Sequence, residues 1–170
     1  MQTTESGHQP ETGGSAAGDP ADASKNQRYW FHILAQSTPA ARNLHAVKLA
    51  AKAWQQGDRA CIVCDALEQA EELDELLWGF SPESFIPHGL VPDAATRCSE
   101  SVGILMCPPS AEEWDTVIIL SQTLPADADR FKRLALVAQN DPAILNQARS
   151  HYRQLRALGI EARVHDLRKR

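Results

Sequence analysis

Apolar positions fall in short blocks along this chain, and the spacing inside each block alternates between two patterns. Tyr29, Trp30, Phe31, His32, Ile33, Leu34 and Ala35 form a nearly continuous apolar run, suited to a strand buried on both faces. Thr38-Pro39 follows, an N-cap residue and then a proline at the first helical position. Leu44, Val47, Ala51 and Trp54 recur at helical spacing until Gly57. Residues 59–64 predict a second strand, and 67–78 a second helix with Leu67, Ala70, Leu73, Leu76 and Leu77 on its apolar side. Glu68, Glu71, Glu72, Asp74 and Glu75 take its wet side.

Prolines 82, 87 and 92 punctuate what reads as a loop carrying Phe85, Ile86 and Leu90. Residues 102–107 and 116–120 predict strands, 126–131 a short helix and 134–137 another strand. Asp141-Pro142 opens a strong last helix that Gly159 ends, and 160–167 suits a closing strand. Strand–helix alternation at these lengths predicts an α/β domain, three-layer α/β/α and Rossmann-like, with a largely parallel sheet. Adjacent strand candidates in the middle of the chain suggest that the sheet is mixed.

From Gln2 to Arg28 the chain lacks Val, Ile, Leu, Phe, Tyr and Trp. Such a segment buries too little apolar surface to offset its ordering entropy, which predicts a disordered tail over 1–28 and a folded domain over 29–170. No apolar run approaches the ~18–20 residues of a membrane span. The start lacks the cationic and apolar regions of a secretory signal, and four cysteines are too few for a disulfide scaffold. A cytoplasmic protein without a membrane role is the expectation. The formal charge is −5, but residues 1–140 hold 10 basic and 19 acidic residues, whereas 141–170 hold 7 basic and 3 acidic. A basic terminal segment on an acidic body points to an anionic partner and argues against general coating of DNA.

Catalytic signatures are missing. Cys61 and Cys64 have redox or zinc half-site spacing, but in a strand residues i and i+3 point to opposite faces. No metal site or cofactor is therefore expected. Neither early strand is followed by a glycine-rich phosphate loop, and no G-x-S-x-G or HExxH motif occurs. His88, between Pro87 and Gly89, is a weak catalytic candidate beside the plainer reading of a loop histidine bonded to backbone.

The last helix is the most informative stretch. At 100° per residue Ile144, Ala148, His151, Leu155 and Leu158 share an arc that should face the sheet, and Arg149, Arg153 and Arg156 share a narrow opposite arc. Leu145 and Tyr152 lie beside the arginines on this wheel. Guanidiniums in a row with an apolar notch suit a peptide ending in a carboxylate with acids upstream. Single-stranded nucleic acid is a competing ligand, and a solvated helix face needs no ligand. A second cluster, Leu76, Leu77 and Trp78 with Phe85, Ile86, Pro87 and His88, either packs on the core or forms a partner patch.

The block Leu73-Asp74-Glu75-Leu76-Leu77-Trp78, with Pro82-Glu83-Ser84-Phe85-Ile86-Pro87-His88 after it, resembles the signature of the bacterial DNA polymerase III chi subunit family. So do Trp54-Gln55-Gln56-Gly57 and the run from Ala148 to Arg156. The resemblance covers about 29–167. It implies a non-catalytic accessory protein of the clamp-loader complex, paired with a psi subunit and bound to the acidic, Pro-Phe-ending tail of single-stranded DNA-binding protein. Contact with nucleic acid is then mostly indirect. By resemblance Arg149, Tyr152, Arg153 and Arg156 bind the tail, with Leu145 where many members carry a basic residue. Trp78, Phe85, Pro87 and His88 match the psi surface. The alternative from the α/β pattern alone is a Rossmann-like small-molecule or nucleotide-binding enzyme.

Overall fold

A computed structural model describes residues 28–83 and 85–169. The expected tail over 1–28 lies outside the described residues except for Arg28. Seven strands form one sheet: β1 (Tyr29–Ile33), β2 (Ala60–Val63), β3 (His88–Val91), β4 (Val102–Leu105), β5 (Thr116–Ile119), β6 (Arg133–Ala138) and β7 (Arg163–Asp166). Three α-helices accompany them: α1 (Pro39–Gln55), α2 (Leu67–Gly79) and α3 (Pro142–Ala157). The order across the sheet is β3-β4-β2-β5-β6-β1-β7, and every described pairing is parallel.

The three-layer α/β fold and the largely parallel sheet are as expected, but the expected mixture of strand directions is absent among the described strands. β4 and β5 are consecutive in sequence, but both pair with β2, which lies between them. The stretches 92–101 and 106–115 are long enough to bring the chain back to the starting end of the sheet without a helix, so each strand re-enters parallel. β3 sits where a loop was expected. An edge strand pairs on one side only, so it tolerates the flanking prolines 87 and 92. The short helix near 126–131 is a single 3₁₀ turn, Ala128–Arg130.

Local chemistry explains the helix ends. Thr38 Oγ1 accepts from Ala41 N at 3.3 Å, and Asp141 Oδ1 accepts from Ala143 N and Ile144 N at 3.0 and 3.2 Å. Pro39 and Pro142 occupy the first helical positions. Gly57 and Gly159 follow α1 and α3 with φ of 87° and 81°, the left-handed region that halts a helix.

Strand alternation sorts the core into two halves. Phe31, Cys61, Val117 and Leu134 join Leu145, Ala148 and Leu155 of α3 on one face. Ile62, Cys64, Ile104, Ile118 and Val137 join α1 and α2 on the other. Cys61 and Cys64 thus belong to opposite faces, as their spacing requires. At Gly103 the Trp114 ring lies so close to the backbone that a Cβ would sit 2.4 Å from its edge, so only glycine fits.

Two buried polar groups tie loops to the sheet. The Tyr29 hydroxyl lies 2.6 Å from the Ala128 carbonyl and 2.9 Å from that of Phe131, offering its one hydrogen to both and pinning the 3₁₀ turn. Burial, then the nearby Asp129 charge, pushes this phenol up to about 12. The Asp58 carboxylate accepts from Thr116 Oγ1 and Lys132 Nζ at 2.8 Å and from Arg133 Nη1 at 3.2 Å. Burial opposes its ionisation, but these donors and the Arg133 charge outweigh burial and hold it below the usual carboxylate range.

Three histidines converge between β1, α1 and β7. His32 Nδ1 and His45 Nε2 are 3.3 Å apart, and the His165 ring centre is 5.4 Å from that of His32. Burial, reinforced by His45, His165 and Lys52, pushes His32 down to about 4.

Removing the phenol oxygen in Tyr29→Phe should lower stability by about 1–2 kcal/mol, since two buried carbonyls lose their donor. The measurement is a fall in the urea midpoint at unchanged slope; an unmoved midpoint would show that the turn holds without it. For His32 the unfolded group titrates near 6.5 and the folded one near 4. The unfolded chain therefore binds the extra proton between those values, and stability, full above pH 6.5, declines as pH drops towards 4. That loss is on the order of 3 kcal/mol. Urea midpoints across this window should fall less for His32→Asn than for the unmodified chain; parallel curves would exclude His32 as the cause.

Candidate functional site

Helix α3 presents its arginines as the helical wheel predicts. Arg149, Arg153 and Arg156 are all exposed, and seven residues of rise spread them over about 10 Å. Among the described residues none of the three is ion-paired with a carboxylate; Arg149 Nη1 donates to Asn146 Oδ1 at 3.4 Å. Tyr152 is half-buried beside the row, its ring centre 6.0 Å from that of Phe31 on β1.

Leu145 does not join this surface. It is 6% exposed and packed in the core with Ala148 and Leu155. The helix lies on the sheet with its contact arc rotated towards Leu145, so the wheel position that looked lateral is inward. Conversely Leu158, expected to face the sheet, follows the last turn and is 46% exposed. Sequence reading missed Val164. It is the register partner of Phe31 and so lies on the same sheet face, 54% exposed. Its signal was weak: one apolar residue among Arg163, His165 and Asp166 in an edge strand.

The second cluster stands at the other end of the sheet. Ala70, Leu73 and Leu77 of α2 face the core, which turns Trp78 outward at 60% exposure. Phe85 is 63% exposed, while its neighbour Ile86 is buried in the core. The Trp78 and Phe85 rings are 5.3 Å apart at 52°, and the His88 ring meets Trp78 edge-on at 4.9 Å. His88 Nδ1 donates to the Ile86 carbonyl at 2.7 Å. Its Nε2 lies 3.2 Å from Asp74 Oδ1, within ion-pair range but without hydrogen-bond alignment. Pro87 is partly buried, and its carbonyl accepts from Val102 N at 3.1 Å, joining the segment to β4. The four residues singled out here therefore sit together, and Asp74, expected to face water, is their added partner. The aromatic pair stays off the core, which the sequence alone left open.

At the carboxyl end of β1, where open α/β sheets commonly hold ligands, lies a cavity of about 310 Å³. Leu34, Leu44 and Leu167 line it with His45 and Lys48, and among the described residues no carboxylate does. Among the described residues no group of three His, Cys, Asp or Glu is arranged to hold a metal ion, and no helix is long and apolar enough to cross a membrane.

These features define a three-layer α/β domain with an all-parallel sheet and two open side-chain clusters at its opposite ends. The chain belongs to the family described as DNA polymerase III chi subunit, HolC, whose model matches residues 27–163. It is 34% identical over 137 residues to the DNA polymerase III subunit chi of Pseudomonas aeruginosa, covering 81% of this chain and 94% of that protein. Against the DNA polymerase III subunit chi of Haemophilus influenzae the identity is 31% over 129 residues, covering 76% and 90%. The Escherichia coli protein of the same name is 30% identical over 114 residues, covering 66% and 77%.

Proposed function

We propose that this chain is a non-catalytic accessory subunit of DNA polymerase III in DNA replication. It links the clamp loader, through a psi partner, to the acidic C-terminal tail of single-stranded DNA-binding protein. Membership of the chi family supports the polymerase III assignment. The linking role is carried by one arrangement: an exposed guanidinium row and an exposed aromatic pair towards opposite ends of one sheet. β4, beside the aromatic cluster, and β1, beneath Tyr152, are second and sixth in strand order. Four inter-strand spacings separate them by about 19 Å, and α2 and α3 lie on opposite faces. The two surfaces do not overlap, so occupying one leaves the residues of the other free to bind.

On the α3 side, Arg149 and Arg153, one turn apart, offer forked donors to a terminal carboxylate. The half-buried Tyr152 ring, with Val164 on the same sheet face, supplies an apolar notch for a terminal phenylalanine. Upstream acids are drawn by the excess cations of residues 141–170. Exposed charges are screened over about 10 Å at 0.1 M salt, so binding is reversible and salt-sensitive. On the other side, Trp78 and Phe85 offer large apolar area of the kind that anchors protein interfaces, and His88 and Pro87 fix the segment that presents them.

A peptide ending in acidic residues, Pro and Phe should bind the chain in a calorimetric titration, and its C-terminally amidated form should bind about tenfold more weakly. Arg153→Glu should abolish binding at unchanged melting temperature; equal binding of both peptides would refute the carboxylate role. A psi partner co-expressed with the chain should co-purify with it but be lost with Phe85→Ala, which removes an exposed ring and leaves folding intact. Retention of that partner would place its interface elsewhere.

A further inference from the structure

Among the described residues the face of β1 opposite α3 is only partly covered: His45 of α1 closes over His32, while Trp30 stays half-buried. α1 packs against β2, β5 and β6, and between α1 and β7 the structure leaves an open groove of about 950 Å³. Trp30, His32, Ile118 and Ala135 lie along its floor. In register, Trp30 pairs with Arg163 and His32 with His165, so these four side chains share one face in two successive rungs. Lys52 stands on the helical wall, and Arg28, Lys132 and Arg133 gather where the strands begin.

Charge in this groove runs against the composition of the chain. Acids outnumber Lys plus Arg by 22 to 17 overall, yet among the described residues none that lines the groove is Asp or Glu. The nearby carboxylate of Asp58 is buried and already engaged by Lys132 and Arg133. Arg28, Lys52 and Arg163 are exposed and have no ion pair among the described residues. Trp30 is half-buried among them, a flat apolar group at the bottom of a cationic channel.

We propose that this groove binds single-stranded nucleic acid, a base stacking on Trp30 and successive phosphates meeting Arg28, Lys52 and Arg163. A cationic channel with an aromatic platform is the arrangement that takes single strands without sequence preference. An aromatic at the floor reaches only bases that have left a duplex stack, so the groove discriminates against double strands. His32, held neutral by burial, contributes a hydrogen-bonding nitrogen rather than a charge. The site lies on the sheet face opposite the α3 arginines and stands or falls independently of tail binding.

The test is fluorescence anisotropy of labelled oligothymidylate with the full chain at low salt. Saturable binding that weakens with salt is expected, with about five- to tenfold loss in Lys52→Glu and in Arg163→Glu. Both replaced side chains are exposed, so their circular dichroism and melting temperatures should match the unmodified chain. Arg153→Glu, on the other face, should bind the oligonucleotide nearly as well as the unmodified chain. Quenching of tryptophan emission on binding, absent in Trp30→Leu, would report the stack. Absent binding, unchanged affinity in both groove variants, or equal affinity for a duplex would overturn the proposal. So would poly-glutamate binding as tightly as oligothymidylate, which would assign the groove to an acidic protein.

Discussion

A sheet of seven parallel strands is apolar on both faces and must be covered on both, whereas the described residues supply three α-helices to do it. On one side α1 packs over β2, β5 and β6 and α2 over β3 and β4, and α3 lies over β6 and β1 on the other. Loops take over where helices end: Trp114 closes on Gly103, and Phe131 and Ile160 complete the α3 half of the core. The surfaces considered above lie where that cover runs out. Trp78 and Phe85 stand beyond the inward face of α2, Val164 beyond α3, and Trp30 beyond α1.

Loops acting as a layer need stronger fixing than helices, because their backbone groups are not satisfied internally. Polar side chains with little or no exposure supply some of that fixing. Tyr29 holds the 3₁₀ turn, and Asp58 gathers Thr116, Lys132 and Arg133 where β5 and β6 begin. Arg42 of α1 donates to the carbonyls of Val137 and Leu120 at 2.7 and 3.1 Å, fastening the other ends of β6 and β5. The two ends of the sheet are thus held by charge-assisted contacts and its middle by apolar packing.

Much of this was legible in the sequence because it is local. The caps at Thr38 and Asp141, the stops at Gly57 and Gly159 and the opposite-facing cysteines follow from neighbouring residues and chain period. The largely parallel sheet followed from strand–helix alternation, but the parallel re-entry of β4 and β5 did not, since their pairing to β2 is decided by contacts remote in sequence. β3 escaped notice because an edge strand can be built from residues that otherwise spell a loop. Among the site residues, the arginine row needed only the helical angle, whereas Leu145 depended on how α3 is rolled on the sheet. That roll is set by packing volume, which a wheel does not contain. Val164 and the groove on β1 and β7 depend on which strands the helices leave bare, a property of the assembled layers.

β1 deserves to be viewed as a two-sided strip. Odd residues from Tyr29 to Ile33 belong to the face with Tyr152 and Val164, and Trp30 and His32 to the face with Arg163 and His165. Because side chains alternate with a period of two, sliding the strand by one residue would exchange the two surfaces completely. Phe31 would then point at the groove and Trp30 at α3. The phenol of Tyr29, fixed to two carbonyls at the strand's first residue, acts as an indexing pin that adds to the apolar pattern in keeping each chemistry on its own side of the domain.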